Sequence, residues 1–169
     1  TALSNMVRMG RFSSLVTMGY DRTDGMVENF DFKQINLYAK IGYELSRYFR
    51  LSADYSLVNI KGNDPIYAQL HNASYIIHQN ITRGETSLAF SNKFQNTDGA
   101  VRFYYSYGNQ YIDDPKHFHS LDDRFGIIAY QNVNVWQHAT GTIGFDFNTY
   151  RGKIPMSWSH KFMRMYCRE

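Results

Sequence analysis

Cysteine is almost absent from this 169-residue chain, whose single thiol is Cys167. One thiol excludes a disulfide framework and a thiolate metal site. No run of about 18 apolar residues occurs, which excludes a transmembrane helix. Lys and Arg total 18 against 15 Asp and Glu, and neither a basic block nor a basic helix face indicates nucleic-acid binding. The chain is nevertheless long enough for one domain with a sizeable core.

Signatures of catalysis are also missing. Ser13 and Ser14 lack the G-x-S-x-G context of a nucleophile elbow. No glycine-rich phosphate loop occurs, and no carboxylate pair stands apart from the general scatter of acidic residues. We therefore expect no enzymatic activity and no cofactor.

Aromatic residues, in contrast, are abundant. The chain has 14 Tyr and 12 Phe, and aromatic residues make up 17% of it. Soluble sheets also favour aromatic side chains in strands. A tyrosine excess of this size is typical of membrane barrels, in which amphipathic rings lie at the membrane interface.

The clearest periodic stretch is 34–60. Apolar residues occupy alternate positions from Ile35 to Leu45, and again from Leu51 to Leu57, with polar residues between them. Because side chains of a strand point alternately to opposite faces, this pattern predicts a hairpin with one apolar and one polar face. The two predicted strands within this stretch are each about 10–12 residues long, which is about what a tilted strand needs to cross a bilayer.

The whole chain predicts an all-β fold, an antiparallel up-and-down meander of about seven strands. We place short connections at 46–48, 96–99 and 134–138, and longer ones at 23–31, 62–74 and 113–123. Outer-membrane barrels alternate in this way, with short periplasmic turns and longer extracellular loops. The pattern therefore favours part of a transmembrane β-barrel over residues 1–153. Residues 154–169 lose the alternation, and we predict an irregular tail outside the barrel pattern.

Several segments resemble the barrel of TonB-dependent outer-membrane receptors. The resemblance covers roughly residues 10–153 and rests on ENFDF (28–32), YAKIGYELS (38–46), RLSADYSL (50–57), GNDPI (62–66), HQNITRGE (78–85), YGNQYIDDPKHFHS (107–120) and GFDFNTYRGK (144–153). It implies a barrel of about 22 strands that encloses an N-terminal plug domain. It also implies uptake of a scarce ligand, such as a siderophore, a vitamin or a metal chelate, across the outer membrane of a Gram-negative cell.

The chain departs from that family in having no plug, no energy-coupling box and no aromatic-ended closing strand. About seven strands are also too few to close a barrel of this kind, and lipid does not tolerate open sheet edges. We therefore expect an internal piece of a receptor barrel. Its expected partners are outer-membrane lipid, a small-molecule or chelate ligand, and the plug domain and energy-coupling protein of a full-length receptor.

One polar cluster is a candidate ligand-binding site in an outer loop. Its members are Asp113, Asp114, His117, His119, Asp122 and Asp123. Imidazoles with carboxylates suit zinc, copper or iron, so a metal or chelate is one possible ligand. Asp-Asp-Pro is also a common way to begin a solvated turn, which would carry no function. His71 and His78 flank the other long loop as weaker candidates.

Two alternatives stay open on the sequence. A passive outer-membrane pore would share the barrel fold but would not need a plug. A soluble β-sandwich binding module would instead pack the apolar faces against each other. Charged residues inside strands, such as Lys40, Asp54 and Arg102, would line the lumen in a barrel and would face solvent in a sandwich.

Overall fold

A computed structural model describes residues 1–26, 29–64, 76–114, 117–136, 139–155 and 164–168. These residues form nine strands and no helix. The strands are β1 (Ala2–Met9), β2 (Phe12–Thr23), β3 (Phe32–Glu44), β4 (Phe49–Asp64), β5 (Ile77–Lys93), β6 (Thr97–Asp113), β7 (Phe118–Trp136), β8 (Ala139–Pro155) and β9 (Arg164–Arg168). In the described part of the chain, no helix has the length and apolar character needed to cross a membrane.

All nine strands belong to one sheet in the order of the sequence. Each strand pairs antiparallel with the strands before and after it in the chain. Within the described residues, β1 and β9 do not pair with each other, so the sheet is open. The expected all-β antiparallel meander is confirmed.

The central hairpin forms as its alternation predicts. Ile35 pairs with Asn59 and Tyr43 with Leu51, so the apolar positions of β3 and β4 share a face. The turn between the two strands is closed by the Ser46 hydroxyl, which accepts hydrogen bonds from the Tyr48 and Phe49 amides at 3.1 and 3.2 Å. We call the end of the strands at which this turn lies the turn end of the sheet, and the opposite end of the strands the loop end.

The predicted turns at 96–99 and 134–138 are shifted, because β6 already begins at Thr97 and β7 extends to Trp136. Three larger parts of the strand assignment also differ from the sequence analysis. Residues 2–9 have weak periodicity but form β1, which pairs along its whole length with β2. At the other end of the chain, β8 continues to Pro155, and Arg164–Arg168 pairs with Arg151–Pro155 as β9. Part of the segment 154–169 thus joins the sheet, because backbone pairing needs no side-chain alternation. Residues 156–163 and 169 lie outside the described part.

The predicted long connection at 113–123 is wrong, and this is the third difference. β6 ends at Asp113 and β7 begins at Phe118, so only residues 114–117 separate them. Phe118 to Asp123 pair with Tyr107 to Ile112 instead. Aspartate is depleted in strands, but Asp122 has an arginine partner on β5, across β6, and Asp123 has one on the adjacent strand β8. The charges are therefore satisfied within the sheet and do not require a loop.

The described residues form almost no buried core behind the sheet. Of the described hydrophobic side chains, only Ile77 and Tyr104 are less than a tenth exposed, at 6% and 9%. No second layer packs on either face within the described ranges, since every extensive contact between elements joins neighbouring strands. The described residues therefore form a single sheet, whereas a β-sandwich would have a second sheet that buries one face of the first.

Candidate functional site

One face of the sheet is apolar and uncovered. The register brings Ile41, Ala53, Leu88, Phe103, Ile127 and Phe147 into one row across six strands. Ile41, Leu88 and Phe147 are each about half exposed, at 52%, 48% and 45%. We call this side of the sheet the apolar face. Contiguous exposed apolar surface of this kind marks an interaction with a membrane or another protein.

The opposite side, which we call the polar face, carries a connected ionic network. The Arg102 guanidinium on β6 lies 3.1 Å from a Glu85 carboxylate oxygen and 3.4 Å from an Asp54 oxygen. The Ser87 hydroxyl donates to the other Asp54 oxygen at 2.8 Å, and Ser87 is only 4% exposed. Three adjacent strands are thus joined by charged side chains that compensate one another, as buried or half-buried ions require.

Aromatic rings gather at the turn end. Tyr48 stacks on Phe94 with ring centroids 5.0 Å apart, and Phe49 stacks on Phe90 at 5.4 Å. Phe49 also meets Phe94 edge to face at 5.5 Å. Offset-stacked and edge-to-face pairs are the favoured geometries of aromatic rings. The cluster places rings at the turn-end border of the apolar face, and Tyr48 supplies the amphipathic ring that suits a membrane interface.

Two strand glycines lie beneath tyrosine rings. Tyr107 on β6 lies over Gly84 of β5, and its hydroxyl is 3.2 Å from the hydroxyl of Tyr55 on β4. Tyr104 in the same way lies over Gly126 of β7. A Cβ atom at either glycine would overlap the ring. The absence of a side chain therefore lets each ring lie flat on the sheet and reach across a strand.

A cleft of about 750 Å³ opens at the loop end, near the connection between β2 and β3. Met26, Phe30, Phe32 and Ile60 supply its apolar wall, while Asp31, Asn63, Asp64 and Gln79 supply polar groups. Phe32 and Ile60 both lie on the polar face, because Ile60 is six residues from Asp54 in β4 and pairs with Gln34, which is two residues from Phe32 in β3. Volume and mixed lining match those of small-molecule sites.

The structure separates the six residues of the candidate outer-loop site into distinct groups. Asp113, Asp114 and His117 belong to the turn between β6 and β7. The His117 ring nitrogen lies 2.8 Å from Asp113, and the Asp114 carboxylate accepts from the Phe118 amide at 3.1 Å. His117 has a φ of 48°, so it does not form an extended segment with His119.

The remaining three residues of that site lie in β7. His119 is 3.0 Å from the Asn109 side-chain oxygen on β6. Asp122 lies over Gly108 and forms an ion pair with Arg83 at 3.2 Å. Its neighbour Asp123 points to the other face, since it follows Asp122 directly in a strand.

Arg151 on β8 holds Asp123 through two hydrogen bonds of 2.9 and 3.1 Å. Sequence reasoning missed Arg83 and Arg151 as partners, because they lie 39 and 28 residues from the aspartates that they bind. Only the strand register brings them together. Ligand binding by the six residues stays a prediction, and the structure does not gather them into one cluster.

No three His, Cys, Asp or Glu side chains converge as a metal site in the ranges that the structure describes. Of the two weaker candidates, His78 lies on β5 with a ring nitrogen 2.6 Å from the Asn63 side-chain oxygen. His71 lies outside the described residues. Asn63 also donates to Asp31, so this corner of the loop end is a hydrogen-bonded border of the cleft.

No protein-family model matches the chain, and comparisons with curated proteins and with solved structures find no similar one. The resemblance to TonB-dependent receptors therefore stays a prediction from the sequence segments.

Proposed function

We propose that this chain forms part of the wall of an outer-membrane β-barrel receptor that imports a scarce ligand in a TonB-dependent way. The observation that carries the proposal is the single sheet with one uncovered apolar face and one ion-paired polar face. In such a wall the apolar face contacts lipid and the polar face lines the lumen. No second sheet is available to cover the apolar side chains within the described residues.

Strand length supports the proposal. A tilted strand needs about 9–11 residues to cross a bilayer. β4 to β8 have 16 to 19 residues each. These strands are therefore long enough to cross and to extend beyond the membrane on one side, as the strands of receptor barrels do.

The outline of the apolar face also supports it. One continuous row of paired residues runs Met18, Leu37, Leu57, Gly84, Tyr107, Asp123 and Arg151. The row is apolar on β2 to β4 and ionic on β7 and β8, so the border of the apolar face crosses the strands obliquely. Strands tilted by about 40° require an offset of about one residue per strand between hydrogen-bonded rows and the membrane plane.

The loop end is the side on which we place the ligand. The 750 Å³ cleft opens there on the polar face, and its apolar wall contains Phe30 and Phe32. A ligand with an apolar or aromatic portion and a few polar groups fits this lining. In a closed barrel the cleft would lie at the mouth of the lumen, ahead of the plug.

A labelling experiment tests the membrane orientation. The chain is refolded in neutral detergent with Cys167→Ser as background, and Phe103→Cys and Ser106→Cys variants are exposed to a water-soluble maleimide. We expect slow labelling at position 103, which faces detergent, and rapid labelling at position 106 on the polar face. Equal rates, or a monodisperse monomer that melts cooperatively in plain buffer, would contradict a lipid-facing apolar side.

Transport is tested in an intact receptor that contains this segment. Phe30→Ala should reduce ligand affinity and uptake, whereas Tyr20→Ala on the apolar face serves as the matched aromatic control. Uptake should also stop when the inner-membrane energy supply is removed. Uptake that continues without that supply would favour the passive pore.

A further inference from the structure

Three cations lie side by side on the apolar face at the loop end. Arg22 on β2 pairs with Lys33 on β3, and Lys33 pairs with Lys61 on β4. All three are exposed. We call these three residues the basic row. The basic row lies on the same face as the apolar side chains. Arg22 is two residues after Tyr20 in β2, and Lys33 is two residues before Ile35 in β3, so each shares a face with that residue.

Three adjacent positive charges destabilise the sheet when no anion lies beside them. Directly opposed residues of neighbouring strands have Cβ atoms about 4.5–5.5 Å apart, so like charges there repel. Asp24 neutralises Arg22 at 2.9 Å. Lys33 and Lys61 form no ion pair or side-chain hydrogen bond with any other described residue. The two lysines are therefore available to bind an anion from outside the described residues.

The position of the basic row indicates which class of anion would bind there. The row borders the apolar side chains Tyr20 and Ile35, which form the next row toward the turn end. If the apolar face lies in lipid, as the proposed function holds, Lys33 and Lys61 lie at headgroup depth. Long lysine side chains at this depth reach the interface and attract anionic headgroups.

We infer that the basic row binds the phosphate groups of membrane lipids in the leaflet at the loop end. The inference rests on the proposed function for the orientation of the apolar face. Ammonium groups are common phosphate binders, and two adjacent ones can share a phosphate monoester on one headgroup. The occupant is a phosphorylated lipid, because its acyl chains would cover the apolar side chains that continue from the row.

The test uses the full chain refolded in neutral-detergent micelles. It is titrated with phosphatidic acid and, separately, with phosphatidylcholine of the same acyl chains, and bound lipid is counted by native mass spectrometry. We expect phosphatidic acid to bind more tightly. The double variant Lys33→Gln, Lys61→Gln should lose about 30-fold in affinity for it, since each lysine near an anionic lipid surface contributes about 5-fold.

Two further variants make the result specific. Lys40→Gln with Lys93→Gln removes the same charge from exposed lysines on the polar face, and its affinity should stay at the wild-type level. Lys33→Arg with Lys61→Arg keeps the charge and should keep most of the binding. Equal losses in the two glutamine pairs would overturn the inference, because the effect would then depend on net charge alone.

Competition separates lipid from free phosphate. Inorganic phosphate should not displace phosphatidic acid at matched concentration, because it lacks the acyl chains that the apolar face contacts. Full displacement would overturn the lipid assignment. Strand content by circular dichroism, with and without detergent, reports on the membrane proposal separately. A chain that needs detergent to fold but ignores phosphatidic acid would retain the proposed function and remove only this inference.

Discussion

The glycine beneath Tyr104 makes a sharp test of how the sheet is packed. Gly126→Ala adds one methyl group where the Tyr104 ring now lies. That ring is 9% exposed, and the Arg124 guanidinium is 5.5 Å from its centroid. To admit the methyl group, the ring must leave the surface of the sheet. Gly141→Ala is the matched control, because its Cβ would meet only Val135 Cγ2 at 3.9 Å and the Val133 carbonyl at 4.0 Å.

The two alanine variants should change the free energy of unfolding in opposite directions. Overpacking of a filled site costs about 1–3 kcal/mol. Replacing a strand glycine by alanine also stabilises the protein by about 0.4–1 kcal/mol, because the unfolded chain loses conformational freedom. Gly126→Ala should therefore lower the free energy of unfolding by about 1–2 kcal/mol. Gly141→Ala should raise it by about 0.4–1 kcal/mol, since only the second effect operates there.

Urea unfolding of the detergent-refolded chain measures both changes. Adding Tyr104→Ala to Gly126→Ala should relieve the overlap, so the double variant should deviate from additivity by about 0.5–3 kcal/mol. Two results would refute the reasoning. One is an equal effect of alanine at positions 126 and 141, and the other is full additivity of Tyr104→Ala and Gly126→Ala.

Three further predictions concern the faces, the ionic network and the candidate loop site. In an intact receptor, Tyr105→Arg should cost about 2–4 kcal/mol of folding free energy and Ser106→Arg much less; the reverse order in folding titrations would mean that the lipid and lumen faces are exchanged. Asp54→Ala should lower the free energy of unfolding in urea by about 1–3 kcal/mol, because the Ser87 hydroxyl and the Arg102 guanidinium lose their acceptor. A decrease of only about 0.3 kcal/mol or less would show that the network is a solvent-screened surface contact. The double variant His117→Ala, His119→Ala should weaken ligand binding about 5- to 150-fold without changing barrel assembly. Wild-type affinity in this variant would mean that the two histidines belong only to a solvated turn.

The alternation of side chains was enough to predict the sheet. Apolar side chains occupy every second position over residues 35–43 of β3, 51–57 of β4 and 101–107 of β6, so the strands, their faces and the central turn follow from the sequence. Residues 2–9 lack that alternation and still form β1, because an edge strand gains its hydrogen bonds from its neighbour β2. Pattern alone carries no information about backbone pairing of this kind.

The candidate loop site could not be predicted as well, for a different reason. Asp122 and Asp123 resemble loop residues by type. They lie in a strand because Arg83 and Arg151 neutralise them from strands on either side. The proximity of those arginines depends on the register of β5, β6, β7 and β8, which no local stretch specifies. Residues 65–75 of the second long connection lie outside the described part, so His71 adds nothing to the comparison.

The order of the strands has a consequence for how the sheet can assemble. Every strand pairs only with its neighbours in the chain, so each hairpin closes one connection and depends on no distant segment. Loop-closure entropy is then lost in small, separate steps, and no single long-range contact controls the folding rate. Each added strand also covers one free edge and presents another with the same unpaired amides and carbonyls. Growth of this kind has no internal stop signal, and it ends only when the last edge meets the first edge or an edge supplied by another segment or chain.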